Sequence, residues 1–460
     1  MSLATIDIFH VLAAISALLV MAHLGGFLAA RAGLPPMIGE LLGGLLLGAT
    51  VLRRVWPDGS EWLIPATPGV GEAMPAVLPV LGFCSQLGLL LLMFIGGLQM
   101  RRLVTRADAK AVGWISSLGV AVPVICGLLL LLVIDVTPYM GTAQNETALD
   151  IILLAALAVT SIPVITRIFI DLGLMETRLA RIVLSVAVIE DVLLYIAVSI
   201  AIGMAEADAK SDASIPHYLG LEPDSPLFIA WHVGASLALL AFAAWGFGKA
   251  GGGSRTAQLA RTNPVARRST LGYTVAAILG ITLLAMLLGL APMFGALVAG
   301  IAASRATSMR WIDAQRQIES VGLAFFIPLY FALIGVSLDL VNAFDWKFTV
   351  GILIVGTLLK YVGSLVGARI AGEPSAMANA LAISVNARGG PGLVLASTAF
   401  AAGIINESAY TGLVILALAT SVGAGVFLAN VLRSNPSTTK LIRGEDPAAT
   451  DTDTRELEPA

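Results

Sequence analysis

Charge is scarce in this chain. Charged residues fill 12% of its 460 positions, about half of the ~25% carried by soluble domains. Hydrophobic residues fill 57% and the mean hydropathy is +0.90. These figures exclude a soluble globular protein and leave a polytopic membrane protein. The net charge of -3 decides little, because the distribution of charge carries the information. Cysteine is nearly absent. Cys84 and Cys126 both lie in apolar runs, which argues against a disulfide framework or a metal cluster. His10, His23, His217 and His232 are scattered, with no ligand spacing. No His/Asp cluster or nucleophile–base pair supports a membrane-embedded enzyme. No enzyme activity, cofactor or nucleic-acid partner is expected. The apolar stretch from Ile8 lacks a basic leader and a clear cleavage site, so it reads as a first span and not as a signal peptide.

What the chain has in abundance is long apolar runs. They predict an all-α membrane protein of about thirteen spans, at roughly 8–30, 36–51, 78–100, 111–134, 149–172, 178–204, 226–248, 269–288, 290–304, 318–337, 348–371, 376–402 and 408–432. Most basic residues fall on alternate connections. These hold Arg31; Arg101, Arg102, Arg106 and Lys110; Arg167, Arg178 and Arg181; Lys249, Arg255, Arg261, Arg267 and Arg268; Arg305, Arg310 and Arg316; and Arg369. Arg433, Lys440, Arg443 and Arg455 continue the same side at the C-terminus, and the opposite side holds Arg53, Arg54, Lys210 and Lys347. The positive-inside rule then puts the N-terminus outside and the C-terminus in the cytoplasm. Residues 434–460 are polar and acidic and are expected to form a disordered cytoplasmic tail.

Few ionisable residues lie deep in these runs. Glu190 and Asp191 are adjacent in the sixth, ~18–20 Å from its Arg178 end and near the midplane. A carboxylate there is costly unless solvated, paired or protonated, and marks an ion or proton site by default. A purely structural polar contact is the plain alternative. Lys360 and Arg388 are the deep basic residues. Mid-span, Lys360 is too far from water to snorkel, so it is expected to pair with Glu190 or Asp191 or to lose its proton. Arg388 either caps broken-helix carbonyls or senses the site electrostatically. Glu40 lies just past Pro35-Pro36, where a helix N-terminus favours an anion, and is as readily structural as functional.

Two spans are interrupted. The fifth contains Thr160-Ser161-Ile162-Pro163, where Pro163 removes a backbone donor. The twelfth contains Asn386-Ala387-Arg388-Gly389-Gly390-Pro391-Gly392. Taken singly, each break reads as readily as an ordinary proline kink. Together they occupy the fifth place in each of two six-span halves, about 8–204 and 269–432, on either side of a single linking span at 226–248. One linking span gives the halves opposite orientation. Interrupted helices at corresponding places in inverted halves point to a transporter site. The simplest assembly crosses the two breaks beside the carboxylates. Asp191, Glu190, Thr160, Ser161 and Asn386, with freed backbone carbonyls, then make an oxygen-rich site for a monovalent cation, with Lys360, Arg388 and Glu40 compensating charge. A carboxylate also binds protons. Competition of a proton and a cation for Asp191, coupled to alternating access, gives exchange. Proton-driven efflux of an organic compound is the alternative from another class.

At these residues the chain resembles the bacterial monovalent cation:proton antiporters of the second antiporter family, within the sodium/hydrogen exchanger superfamily. The resemblance runs over roughly residues 8–433. It is carried by Pro35-Pro36-Met37-Ile38-Gly39-Glu40-Leu41-Leu42-Gly43-Gly44, by Leu87-Gly88-Leu89-Leu90-Leu91-Leu92-Met93-Phe94-Ile95-Gly96-Gly97-Leu98, by Phe325-Phe326-Ile327-Pro328-Leu329-Tyr330-Phe331 through Gly335 and Asp339, and by Asn386-Ala387-Arg388-Gly389. It implies Asp191 as the ion carboxylate, Glu190 as its partner and Lys360 as the intramembrane lysine of electrogenic members. It also implies exchange of Na+ (or K+) for H+ in a bacterial inner membrane, a homodimer surrounded by lipid, and an elevator-like moving core. The chain departs from the pattern in placing Glu where electrogenic members usually have the first Asp. It also lacks the acidic residue often found after the third span, and no nucleotide-binding C-terminal domain is expected.

Overall fold

In hydrocarbon every backbone polar group must be satisfied within the protein, so apolar runs of this length coil into helices. In the computed structural model they do. The structure describes residues 5–64, 77–99, 108–206, 214–222, 225–246, 249–250, 253–254, 268–304, 309–434 and 442. Arg101, Arg102, Arg106, Lys210, Arg255, Arg261, Arg267, Arg305 and the tail beyond Ser434, apart from Ile442, lie outside the described residues.

The first half comprises α1 (Thr5–Arg31), α2 (Pro36–Leu47), α3 (Val77–Gln99), α4 (Ala109–Leu131), α5 (Glu146–Ala158), α6 (Ile162–Asp171) and α7 (Arg178–Glu206). Next comes α8 (Pro226–Gly246). The second half comprises α9 (Thr270–Leu287), α10 (Pro292–Ala303), α11 (Met309–Val321), α12 (Ile327–Val336), α13 (Trp346–Ile370), α14 (Ser375–Ser384), α15 (Gly389–Ala401) and α16 (Glu407–Ser434). Starts follow capping chemistry. Asn145, Ser269 and Asp345 each accept a hydrogen bond from a first-turn amide of α5, α9 and α13 respectively. Proline occupies the first turn of α2, α6 and α10, where its missing N–H leaves nothing unpaired. Among the described residues, β-pairing is confined to a short antiparallel ribbon, Lys249–Ala250 with Gly253–Ser254, and an isolated bridge between Met140 and Ile405.

Among the described residues nine helical segments are long and apolar enough to cross a membrane, and two further apolar helices are shorter. The runs expected at 149–172 and 376–402 are each two short helices in tandem. The tenth expected span differs at its start. It begins at Met309, not near 318, and reaches α12 through a π-helical segment, Gly322–Phe326. Arg310, Asp313, Arg316 and Glu319 lower the hydropathy of α11 and hide it from a hydropathy reading.

The packing repeats between the halves. α1 packs on α2 as α9 packs on α10, and α4 packs on α5 as α13 packs on α14. Helix α7 lies against α4, α5 and α6, and α16 lies against α13, α14 and α15 in the same way. Across the halves, α2 packs on α12 while α3 packs on α10, and α4 packs directly on α13. Such a set of reciprocal contacts is what a pseudo-two-fold relation between two repeats produces. It places α4, α5, α6 and α7 with α13, α14, α15 and α16, and the two breaks meet between them.

One end of this group is clamped by charge. Buried Asp108, just before α4, accepts from Arg178 Nε and Arg181 Nε at the start of α7, both at 2.9 Å. Glu373, between α13 and α14, takes Arg178 in a two-pronged contact at 2.8 Å each. Such fork-on-fork geometry fixes orientation as well as charge. Arg178 and Arg181, legible in sequence only as basic flanks, thus tie three segments of the group together.

Candidate functional site

The first break lies before Pro163. Helix α5 ends at Ala158, and Val159 is extended at φ -71, ψ 147. Ser161 is extended too and caps α6, its Oγ accepting from Val164 N. Pro163 sits in the first turn of α6, where no amide is needed. The expectation that Pro163 frees the carbonyls is therefore corrected: the extended Val159–Ser161 stretch does so, leaving the last carbonyls of α5 without intrahelical partners. The second break follows Ser384, and α15 restarts at Gly389, whose φ is +25. A side chain there would also strike Val164 and Ser161 of the other broken pair, so only glycine fits.

The breaks cross. Ser161 N donates to Ala387 O at 2.6 Å, and Thr160 Oγ1 donates to Val385 O. Gly389 N donates to Ser421 Oγ of α16 at 3.0 Å. Extended backbone at this depth is satisfied by its counterpart in the other repeat, as backbone in hydrocarbon must be.

The freed carbonyls of α5 go to two buried cations. Arg388 Nε donates to Ala156 O at 3.0 Å and Nη2 to Leu157 O at 3.0 Å, while Lys360 Nζ donates to Ala158 O. Arg388 also reaches Gly356 O at 2.7 Å and Asn386 Oδ1 at 2.7 Å, and Lys360 reaches Gly119 O at 3.2 Å. Cations at a helix C-terminus answer both the orphan carbonyls and the negative end of the helix. Of the two roles open to Arg388, carbonyl capping is the one its contacts show, and the helix it caps is α5 and not the one it interrupts. These carbonyls, expected to line a cation site, each accept from a basic side chain. Asn386 is committed as well, with Nδ2 donating to Thr357 O at 2.9 Å and Oδ1 held by Arg388.

Glu190 and Asp191 face different surroundings, because successive residues on a helix point ~100° apart. Glu190 turns towards α4 and α13. Its Oε1 lies 2.7 Å from Lys360 Nζ, with both side chains buried. Gly119 of α4 makes room for the pair, since a Cβ there would come within 3.2 Å of Glu190 Oε1 and 2.9 Å of Ser364 Oγ. Asp191 is 4% exposed, and its Oδ1 has no hydrogen-bond partner among the described residues. Its charge is felt by Tyr195, one turn further along α7, which in turn interacts with Tyr330 of α12.

Six of the eight residues singled out from sequence thus gather at the crossing through hydrogen bonds and an ion pair: Glu190, Thr160, Ser161, Asn386, Lys360 and Arg388. Asp191 adjoins them on α7 and interacts with both Glu190 and Lys360. Glu40 does not join them. It lies on α2 against Gly26 of α1, one turn beyond Met37, whose Cε approaches Gly389. Sequence reasoning missed Gly119, Gly356, Ser364 and Tyr195. The first three carry no charge to mark them in an apolar run. Tyr195 had a readable signal, the four-residue spacing that puts it on the Asp191 face.

A cavity of 280 Å³ lies between α3, α12, α15 and α16 and is walled in part by Ser85, Gln86, Tyr330, Ser397 and Tyr410. Tyr330 and Ser397 share a hydrogen bond of 2.8 Å there. Among the described residues no group of three or more His, Cys, Asp or Glu is placed to hold a metal ion.

The chain is 24% identical over 415 residues to the Na(+)/H(+) antiporter NhaS4 of Synechocystis sp., covering 90% of this chain and 94% of that one. It is 26% identical over 402 residues to a Na(+)/H(+) antiporter of Enterococcus hirae, covering 87% and 92%. It is also 24% identical over 410 residues to the Na(+)/H(+)-K(+) antiporter GerN of Bacillus cereus, covering 88% and 92%. The structure of the sodium proton antiporter MjNhaP1 from Methanocaldococcus jannaschii superposes with a TM-score of 0.61, over 95% of this chain and 99% of that one. At 14% identity this last likeness speaks for the fold. The sequence profile described as sodium/hydrogen exchanger, transmembrane, matches residues 16–434 and so takes in both repeats and every residue of the crossing. The chain belongs to the transmembrane sodium/hydrogen exchanger family.

Proposed function

We propose that this chain is a secondary antiporter that exchanges a monovalent cation for protons by alternating access, with Asp191 as the shared ligand. The observation that carries the reading is the Asp191 carboxylate. It is buried beside the crossing of two broken helices, and Oδ1 is unpartnered among the described residues. Glu190, with Lys360 2.7 Å away, is already answered. Two carboxylates and two basic side chains occupy the centre, so their formal charges cancel when all are ionised. A proton on Asp191 adds one positive charge, and a monovalent cation in its place adds the same. The centre thus carries the same net charge with either substrate, and binding one expels the other.

The names of the relatives, Na(+)/H(+) and Na(+)/H(+)-K(+) antiporters, support Na+ first and K+ second. The reading extends to thirteen crossings, counting each broken pair as one. The N-terminus lies outside and the C-terminus in the cytoplasm of a bacterial inner membrane. The halves are 8–204 and 269–432 around the linking helix, and 434–460 is a tail. Two copies associate within the lipid, and the group formed by α4–α7 and α13–α16 moves against the remainder.

Proton-driven efflux of an organic compound is the second reading. One observation favours it, an apolar cavity of 470 Å³ lined by Thr357, Tyr361, Asn386, Thr420 and Phe427. It meets the crossing on the Asn386 side, away from the unpartnered Asp191 oxygen. Purified protein in proteoliposomes carrying a pH gradient separates the two. Na+ or K+ is expected to dissipate the gradient in wild type, and Asp191→Asn is expected to reduce that to the protein-free leak while remaining folded. Wild-type rates in Asp191→Asn would sink the assignment.

A further inference from the structure

The oxygen donors near Asp191 are fewer than the number of polar residues suggests. Thr160 donates to Val385 O, Asn386 is held by Thr357 and Arg388, and the α5 carbonyls are taken by Arg388 and Lys360. One Asp191 oxygen, one Glu190 oxygen without a cationic neighbour, and the Tyr195 hydroxyl lack hydrogen-bond partners among the described residues. Tyr195 is 1% exposed. A buried hydroxyl with nothing to bond is unfavourable and is retained where water or an ion completes it.

Its location says which. Tyr195 lies four residues beyond Asp191, on the same face of α7. Tyr330 interacts with it electrostatically and is tied to Ser397. Tyr330 and Ser397 line the 280 Å³ cavity. Tyr195 thus has Asp191 on its own face of α7 and a cavity-lining residue, Tyr330, near enough to interact with it.

We propose that the Tyr195 hydroxyl oxygen is a cation ligand, bound together with an Asp191 oxygen and replacing a water of the ion's shell. The inference rests on the exchange reading for the site as a whole and adds the residue that sets cation affinity. A neutral phenol oxygen offers a lone pair to Na+ without adding charge, so the balance between proton and cation at Asp191 is kept. When the proton is on Asp191, the same hydroxyl accepts from the carboxylic acid. Tyr195 thus serves both substrates, but its loss weighs on the cation, because a proton needs no second ligand.

The test is Tyr195→Phe, which keeps the buried ring and removes one oxygen. Exchange is measured in proteoliposomes for wild type, Tyr195→Phe and Asp191→Asn, over a series of Na+ and Li+ concentrations. The expected result is a KM for Na+ raised about tenfold, the loss of about one good contact, with a smaller change in the maximal rate and an altered Na+/Li+ preference. Binding of radioactive Na+ to the purified protein is expected to weaken by the same factor, which a mere packing role would not produce. An unchanged KM and Na+ affinity in Tyr195→Phe, whatever the maximal rate, overturns the inference while leaving antiport standing. Absence of exchange in wild type overturns the antiport reading itself.

Discussion

Glu190 and Asp191 share one turn of one helix, and their neighbourhoods are opposites. Around Glu190 a lysine lies at 2.7 Å and a glycine opens the space. Around Asp191 stand an oxygen and a tyrosine hydroxyl that lack hydrogen-bond partners among the described residues. The first neighbourhood holds the crossing together: its basic groups close the end of α5 and keep a buried charge compensated. The second is left incomplete, and an incomplete oxygen cluster is what a mobile cation or proton fills. Binding in the membrane interior needs both: a compensated charge that holds the helices and a carboxylate with no basic side chain beside it.

The comparison breaks most severely at Arg388. Arg388→Leu strands carbonyls at Ala156, Leu157 and Gly356 and the Asn386 side chain. At ~1–3 kcal/mol for each unsatisfied buried group, little folded protein is expected in the membrane, measured by detergent extraction and size-exclusion profile. Glu190→Gln leaves Lys360 buried without its counter-charge, at ~3–5 kcal/mol. The double variant Glu190→Gln with Lys360→Met is expected to recover part of that in a thermal melt. Additive losses would show that the pair is not coupled. Gly119→Ala pushes a methyl group at Ser364 and Glu190 and is expected to cost ~1–3 kcal/mol, with a slowed rate and an unchanged Na+ KM. A raised KM there would blur the division between the two sides.

The smallest effect belongs to a control far from the site. Tyr139 donates to Asp345 at 2.8 Å outside the membrane spans. That bond, foremost, holds Asp345 below the usual carboxylate range, and burial first, then Asp345, pushes Tyr139 up to about 12. A lowered carboxylate stabilises the fold above its ordinary value, and the contribution is lost as pH falls through the lowered one. It is constant near neutrality. Tyr139→Phe is expected to cost ~1 kcal/mol or less and to leave the pH profile of exchange unmoved. A shifted profile would mean that the loop reaches the site.

The helical architecture, the two breaks and the deep charges were legible because each departs from an apolar background in kind: a charge, a proline, a glycine cluster. The partners were not. Sequence cannot show that the two basic residues of the second half close the carbonyl end of a helix in the first, because that contact spans more than 200 residues. Pro163 misled in a specific way. Proline interrupts a helix interior but is welcome in a first turn, and only the extended Val159–Ser161 stretch shows which applies. The start of the tenth span was hidden by α11, whose charged face reads as loop. Gly119 and Ser364 matter through the space and the hydroxyl they leave beside Glu190, and neither property has a sequence signature.

The central claim is that one carboxylate, Asp191, is shared by cation and proton. Equilibrium binding of radioactive Na+ to purified protein over a series of pH values tests it most directly. Direct competition for one site makes the apparent Kd rise about tenfold for each unit of falling pH once the site is protonated, with about one proton released per Na+ bound. Glu190→Gln with Lys360→Met is expected to keep that slope, and Asp191→Asn to bind no Na+. A Kd indifferent to pH in wild type, or Na+ binding that survives in Asp191→Asn, would contradict it.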